Sequence, residues 1–263
     1  MPNMTLAPDQ VHLWFAIPET ITDPHLIKAY HRFMNEKEVV KQARFHFERH
    51  RHQYLVTRAL IRTTLSQYAA VRPEDWCFVE NKYGRPALDP KHGQDLHFNL
   101  SHTDGLIACA VVRGREIGVD VENISRGGDL VGIADRFFSK QEVDDLHQVP
   151  TTRQEDRFFD YWTLKESYIK ARGMGLSIPL GEFSFHISDV HQDIAISIDP
   201  KQQDLPERWQ FHQWRYQENH KIALCVENAP SPQMEIVLRS IVPLMATKPF
   251  SGEKFRSSQQ TKS

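Results

Sequence analysis

Two short segments frame what this chain can fold into. LIACAV (residues 106–111) and KIALCV (221–226) each end a turn-linked pair of apolar strands, and each closes one half of the sequence. Ahead of each, a helical segment, short strands and a hairpin recur in similar order. Internal duplication and a six-residue coincidence both fit this pattern. If the halves are copies, EIGVDVENI (116–124) lies at their seam, where ligand sites are common.

The chain has 263 residues, enough for one large core or two small ones, and its 40% hydrophobic and 25% charged content is that of a globular protein. A formal charge of −2 gives no global attraction to nucleic acid or anionic membrane, so neither is expected as a partner. Cys77, Cys109 and Cys225 lack C-x-x-C spacing, which predicts reduced thiols and a cytoplasmic location. The opening residues lack a basic leader, and their short apolar run reads as a first strand. No stretch approaches the roughly 20 apolar residues of a membrane span.

Residues 35–70 read as mostly helical, with Asn35 as cap, and 76–81 as a strand before a turn at 82–88. Residues 96–112 read as a hairpin turning at Asp104-Gly105. A helix is expected around 128–138, a capping box at Ser139 and Glu142, and a strong helix over 156–173 ended by Gly173. Strands follow at 182–188, 195–198, 209–216 and 221–227. Beyond about residue 245 the chain is polar and disorder is expected.

The seam strand raises a chemical question. Asp120 and Glu122 project from one face of the strand while Val119 and Val121 take the other. Two such carboxylates need a cation or a proton between them. Glu166 interrupts an apolar helical stripe of Phe159, Trp162 and Ile169. A plain i,i+4 pair with Lys170 explains Glu166 alone; taken with the strand acids, a hard-cation site is the better account. Magnesium in such a site takes its remaining ligands from water and a substrate phosphate.

Lys165 and Lys170 flank Glu166, and Arg85 sits in the fixed turn YGRP. Arg44, Arg51, Arg58 and Arg62 form a basic helical stripe that a solvated face would also show. Ser101 and His102 end a strand and face opposite ways, so they are no catalytic dyad. His102 reads either as a core histidine or as a phosphate or ribose contact. His46 and His50 form H-x-E-x-H without a third ligand, which excludes a zinc reading.

FNLSH, IGVDVE, RFFSKQE and WTLKESYIKARGMGLSIPL, in this order and spacing, resemble the 4′-phosphopantetheinyl transferases of the surfactin-synthetase-activating (Sfp) type. The resemblance covers roughly residues 10–230. It implies an α/β (α+β) monomer of two similar lobes with pseudo-twofold symmetry, each a small antiparallel sheet packed with a long helix. The lobes would span 10–115 and 116–230, with an extension over 231–263 and the active site in the cleft between them. Coenzyme A as co-substrate, Mg²⁺ as cofactor and an apo acyl or peptidyl carrier protein as partner are implied as well. So are metal ligands at Asp120, Glu122 and Glu166, and coenzyme A contacts at Ser101, His102, Arg85, Lys165 and Lys170. Lys41 and Arg44 match basic positions near the 3′-phosphate, and Glu166, Asp120 and Lys170 are the implied catalytic groups, with Glu166 as base. The family usually has G-K-P where this chain has Gly84-Arg85-Pro86. A coenzyme A or carrier-protein binding module without catalysis is the alternative, and a magnesium phosphoesterase fits the acids but not the motifs.

Overall fold

The computed structural model describes residues 4–127, 130–229 and 234–258. Strand β1 (Gln10–Ala16) is followed by helices α1 (Pro24–His31), α2 (Glu36–Ala43) and α3 (Glu48–Leu65). A small hairpin, β2 (Phe78–Glu80) and β3 (Pro86–Leu88), precedes the long hairpin β4 (Leu96–Thr103) and β5 (Leu106–Arg113). The second half opens with β6 (Ile117–Asn123), then α4 (Lys140–Gln148) and α5 (Thr151–Arg172). Strands β7 (Phe183–Ser188) and β8 (Asp193–Ile198) follow, then the hairpin β9 (Trp209–Tyr216) and β10 (His220–Glu227). The chain continues through β11 (Glu235–Ile241), β12 (Thr247–Pro249) and β13 (Glu253–Ser257).

In one sheet β5 lies between β1 and β4; in the other β10 lies between β6 and β9. LIACAV and KIALCV are therefore equivalent strands, and the two-lobed α/β architecture expected from the sequence is present. Helix α3 covers the first sheet and α5 the second. The sheets share a third core between them, where Val11, Leu13 and Phe15 of β1 meet Val119 and Val121 of β6 and Leu224 of β10. Strands covered on both faces carry apolar side chains on both. The outward face of β1 is closed by its own polar cluster: the Tyr68 hydroxyl accepts the Trp14 indole N–H at 2.7 Å and bonds His12 Nδ1 at 2.7 Å.

One glycine sets the distance between α5 and β6. A Cβ on Gly118 would lie 2.0 Å from Ser167 O and 2.4 Å from Ala171 N, so only glycine lets the helix backbone lie against this strand. Gly173, at φ 65°, ends the helix in the left-handed conformation expected of it.

Three expectations are corrected. The helical stretch 35–70 is two helices, α2 and α3, with Asn35 capping the first through a capping box with Glu38. At the break Phe47 is extended, and Arg51 donates to the carbonyls of Phe45 and His46 at 3.0 and 2.9 Å. The helix expected at 128–138 is a 3-10 segment, Val131–Arg136; residues 128 and 129 lie outside the described residues. The extension after residue 230, expected to be disordered beyond about 245, forms strands: β11 lies parallel to β1, β12 pairs with β11, and β13 is inserted between β9 and β8. The sheets are therefore mixed and not purely antiparallel. Residues 259–263 lie outside the described residues. Among the described residues no helix is long and apolar enough to cross a membrane.

Candidate active site

Among the described residues, strand β6 pairs with β10 along one edge and with no strand along the other. Along the other edge, side chains of β4 stand in for a neighbouring backbone. Asn99 Oδ1 accepts the Val119 amide at 2.9 Å, Ser101 Oγ the Val121 amide at 3.3 Å, and Thr103 Oγ1 the Asn123 amide at 3.1 Å. Their spacing of two aims all three the same way and turns His102 to the other face.

Alternation in β6 buries Val119 and Val121 in the shared core and leaves Asp120 and Glu122 on the opposite face, as the spacing predicts. The Gly118 contact brings α5 to that face. Lys170 Nζ lies 2.6 Å from Asp120 Oδ1, donates to Ser101 Oγ at 2.9 Å, and approaches Val119 O at 3.3 Å. Ser101 donates its own proton to Asp120 Oδ1 at 2.9 Å. Asp120 Oδ2 is buried without a hydrogen-bond partner. Burial raises the Glu166 pKa, the Asp120 charge raises it further, and Lys170 opposes both. Trp162 Nε1 donates to Glu122 Oε1 at 2.9 Å.

The residues fit a hard cation in a limited sense. An orphaned carboxylate oxygen beside a second, reluctantly ionised carboxylate is a place that a divalent ion stabilises. Among the described residues, however, no three Asp, Glu, His or Cys side chains are gathered into a ready cage. The three expected metal carboxylates share a neighbourhood without converging on a point.

Two expected phosphate contacts are committed elsewhere. Lys165 is 0 % exposed, and its ammonium meets Glu142 Oε2 at 2.8 Å, Leu180 O at 2.6 Å and Phe183 O at 2.8 Å. Burial lowers its pKa, and Glu142 partly offsets that. Glu142 is also the capping-box partner of Ser139 and accepts the Phe185 amide at 2.8 Å. Lys165 thus fastens α4 and β7 to α5. Lys165→Met should cost about 3–5 kcal/mol of stability, because it strands a buried carboxylate, while substrate affinity stays unchanged. Denaturant unfolding with initial-rate kinetics checks this; a raised KM at unchanged stability would return Lys165 to the phosphate site. Arg85 pairs with Glu116 and donates to Ala171 O at 3.0 Å and Ile117 O at 3.1 Å. Asn81 Nδ2 reaches Gly173 O at 2.7 Å. The Gly84-Arg85-Pro86 turn therefore caps the C-terminal end of α5, a task that needs the arginine fork to span several acceptors.

Comparison with known proteins gives the site its family. Residues 116–225 match the model of the 4′-phosphopantetheinyl transferase superfamily, and 22–113 match that of the 4′-phosphopantetheinyl transferase N-terminal region. The chain is 36% identical to the 4′-phosphopantetheinyl transferase HetI of a Nostoc species, over 67% of this chain and 74% of that protein. It is 31% identical to the 4′-phosphopantetheinyl transferase Sfp of Bacillus subtilis, over 76% of this chain and 85% of that one. The chain belongs to the 4′-phosphopantetheinyl transferase superfamily.

In this transferase His102 is exposed at the end of β4, in a recess of about 390 Å³ with Gln53, Asn123 and Ser125. The protein packed around it lowers its pKa, the cations Lys170 and Arg58 lower it further, and Asp120 opposes them. Lys41 and Arg44 line a separate recess of about 740 Å³ along α2. Tyr54 links the two places: Lys41 Nζ lies 5.8 Å and the Arg58 guanidinium 5.3 Å from its ring centre. Sequence reasoning missed Tyr54 and saw Arg58 only as one of a stripe. The signal was present, since Tyr54 and Arg58 are i,i+4 on α3.

Proposed function

We propose that this transferase moves the phosphopantetheine arm of coenzyme A onto a serine hydroxyl of an apo acyl or peptidyl carrier protein, with Mg²⁺ as cofactor and adenosine 3′,5′-bisphosphate as leaving product. Asp120 carries this reading: one of its oxygens is tied to Lys170 and Ser101, and the other is buried without a partner. Asp120 and Glu166 would hold the ion, with Glu122 beside them. When bound, it neutralises charge on the pyrophosphate.

The chain's own residues do the rest. Lys170 holds a pyrophosphate oxygen and stabilises the negative charge that develops on the leaving group. Glu166 takes the proton of the attacking serine, directly or through a water, and burial gives it the basicity to do so. His102 holds phosphate or ribose oxygens at the mouth of the cleft, Ser101 holds Asp120 and Lys170 in place beneath the phosphates, and Lys41 and Arg44 attract the terminal phosphate. Arg85 and Lys165 position α5. The three cysteines are free thiols, which fits a cytoplasmic protein.

Incubation with coenzyme A and a panel of apo-carriers tests the reaction. Mass spectrometry should find holo-carrier together with bisphosphate. Bisphosphate without holo-carrier would mean hydrolysis, and neither product would mean a binding module. Lys170→Ala and His102→Ala should each weaken coenzyme A binding by roughly 1.5–3 kcal/mol, the worth of a charge-assisted hydrogen bond. Calorimetry decides: unchanged affinity in both variants places the phosphates elsewhere.

A further inference from the structure

The C-terminal extension belongs to both lobes. Strand β11 runs parallel to β1 in the first sheet, in register from Gln10↔Glu235 to Phe15↔Ser240. Nine residues after β11 ends, Phe250 stacks on Phe15 of the first sheet, with ring centres 3.9 Å apart and planes 18° apart. Its ring also lies 4.4 Å from that of Tyr216 in the second sheet. The chain then enters the second sheet as β13. There Arg256 is buried, with Nη1 2.9 Å from Asp160 Oδ2 and 3.2 Å from Gln213 Oε1. Asp160 sits on α5, the helix that carries Glu166 and Lys170, and it is paired with buried Lys221 as well.

The candidate site straddles the same two lobes. Ser101 comes from the first, and Asp120, Glu166 and Lys170 from the second. At the site the joint between them includes the three hydrogen bonds that β6 amides donate to β4 side chains, with the Ser101–Asp120 and Lys170–Ser101 bonds beside them. Such contacts hold only while the lobes keep their angle, and a segment stitched into both sheets fixes that angle.

We propose that residues 235–257 form an interlobe clasp and that Phe250 is a positioning residue for the transfer reaction, acting through the β4–β6 joint. The consequence for catalysis rests on the function proposed above; the mechanical part does not. Among the described residues no hydrogen bond or ion pair joins the clasp to the proposed phosphate or metal groups. Its influence travels through the shared core, in which Phe250 packs beside Phe15 and Leu238.

Hydrogen exchange of the Phe250→Ala protein, read by NMR, tests the clasp independently of activity. The amides of Val119, Val121 and Asn123 donate to β4 side chains, whereas strand alternation directs those of Gly118, Asp120 and Glu122 to β10. Exchange of the first set should accelerate about tenfold or more, as a local opening does, while the second set stays at its wild-type rate. The KM for coenzyme A should rise about tenfold with a smaller change in kcat, and Phe250→Tyr should restore both. If Phe250→Ala does not fold, Phe250→Leu carries the same measurements. Equal acceleration of both sets, or of neither, overturns the clasp. Selective acceleration with an unchanged KM overturns the positioning role. A wild-type protein without transferase activity would overturn the function while leaving the exchange result to decide the clasp.

Discussion

Asp120→Ala should leave no measurable transfer, a loss of more than about 10³-fold, at every practical Mg²⁺ concentration. The substitution removes the acceptor that Lys170 and Ser101 share and the buried oxygen that has no other partner. With the Asp120 charge gone, Lys170 acts on Glu166 without that opposition, and the basicity the reaction needs falls. Holo-carrier formation across a Mg²⁺ titration is the measurement. Excess chelator should silence the wild type, and Mn²⁺ should replace Mg²⁺, because both suit oxygen ligands. Full wild-type activity in chelator would remove the metal from the reaction.

Glu166→Gln separates base from ligand. The amide keeps the shape and one oxygen but not the charge. Coenzyme A should still bind with Mg²⁺, while turnover falls by roughly 10²–10⁴-fold. Near-complete rescue by saturating Mg²⁺ would reject the base role and leave Glu166 a ligand only. The pH dependence follows from the raised pKa of Glu166, which comes from burial and then from Asp120. That shift belongs to the metal-free protein, and its consequence is one of stability. A folded pKa above the unfolded one gives a contribution that is present below the unfolded pKa and lost as pH rises through the folded pKa. Without metal, Glu166→Gln should therefore melt higher than the wild type near neutral pH, and the difference should vanish in acid. A thermal-unfolding series over pH reads this directly.

The acidic strand was legible because period-two alternation needs no tertiary information: Asp120 and Glu122 had to share a face. Glu166 was legible as a break in an apolar stripe. The burial of Lys165 was missed because its motif neighbour suggested a phosphate role, although it lies about 100° round the helix from Glu166. Its own stripe told otherwise, for Phe158, Tyr161, Lys165 and Tyr168 follow helical spacing and all are buried. A lysine in an aromatic stripe needs an acid, and Ser139-x-x-Glu142 held the one it uses. The packing of Arg85 was not legible, because a turn residue shows nothing of the helix end it will cap. The extension was misjudged because its strands gain stability only by joining sheets made far earlier in the chain, and short polar strands carry little local signal.

The outward faces of β1 and β6 occupy equivalent places and were put to opposite uses. On β1 that face holds the hydrogen-bonded trio of Trp14, Tyr68 and His12; on β6 it holds the acids that meet α5. Two identical subunits around a twofold axis must repeat every face, so an acidic one would occur twice, with its charge cost. Joining both halves in one polypeptide removes that constraint. One copy can specialise as inert scaffold and the other as reactive surface, and a single carrier then meets a single place to react.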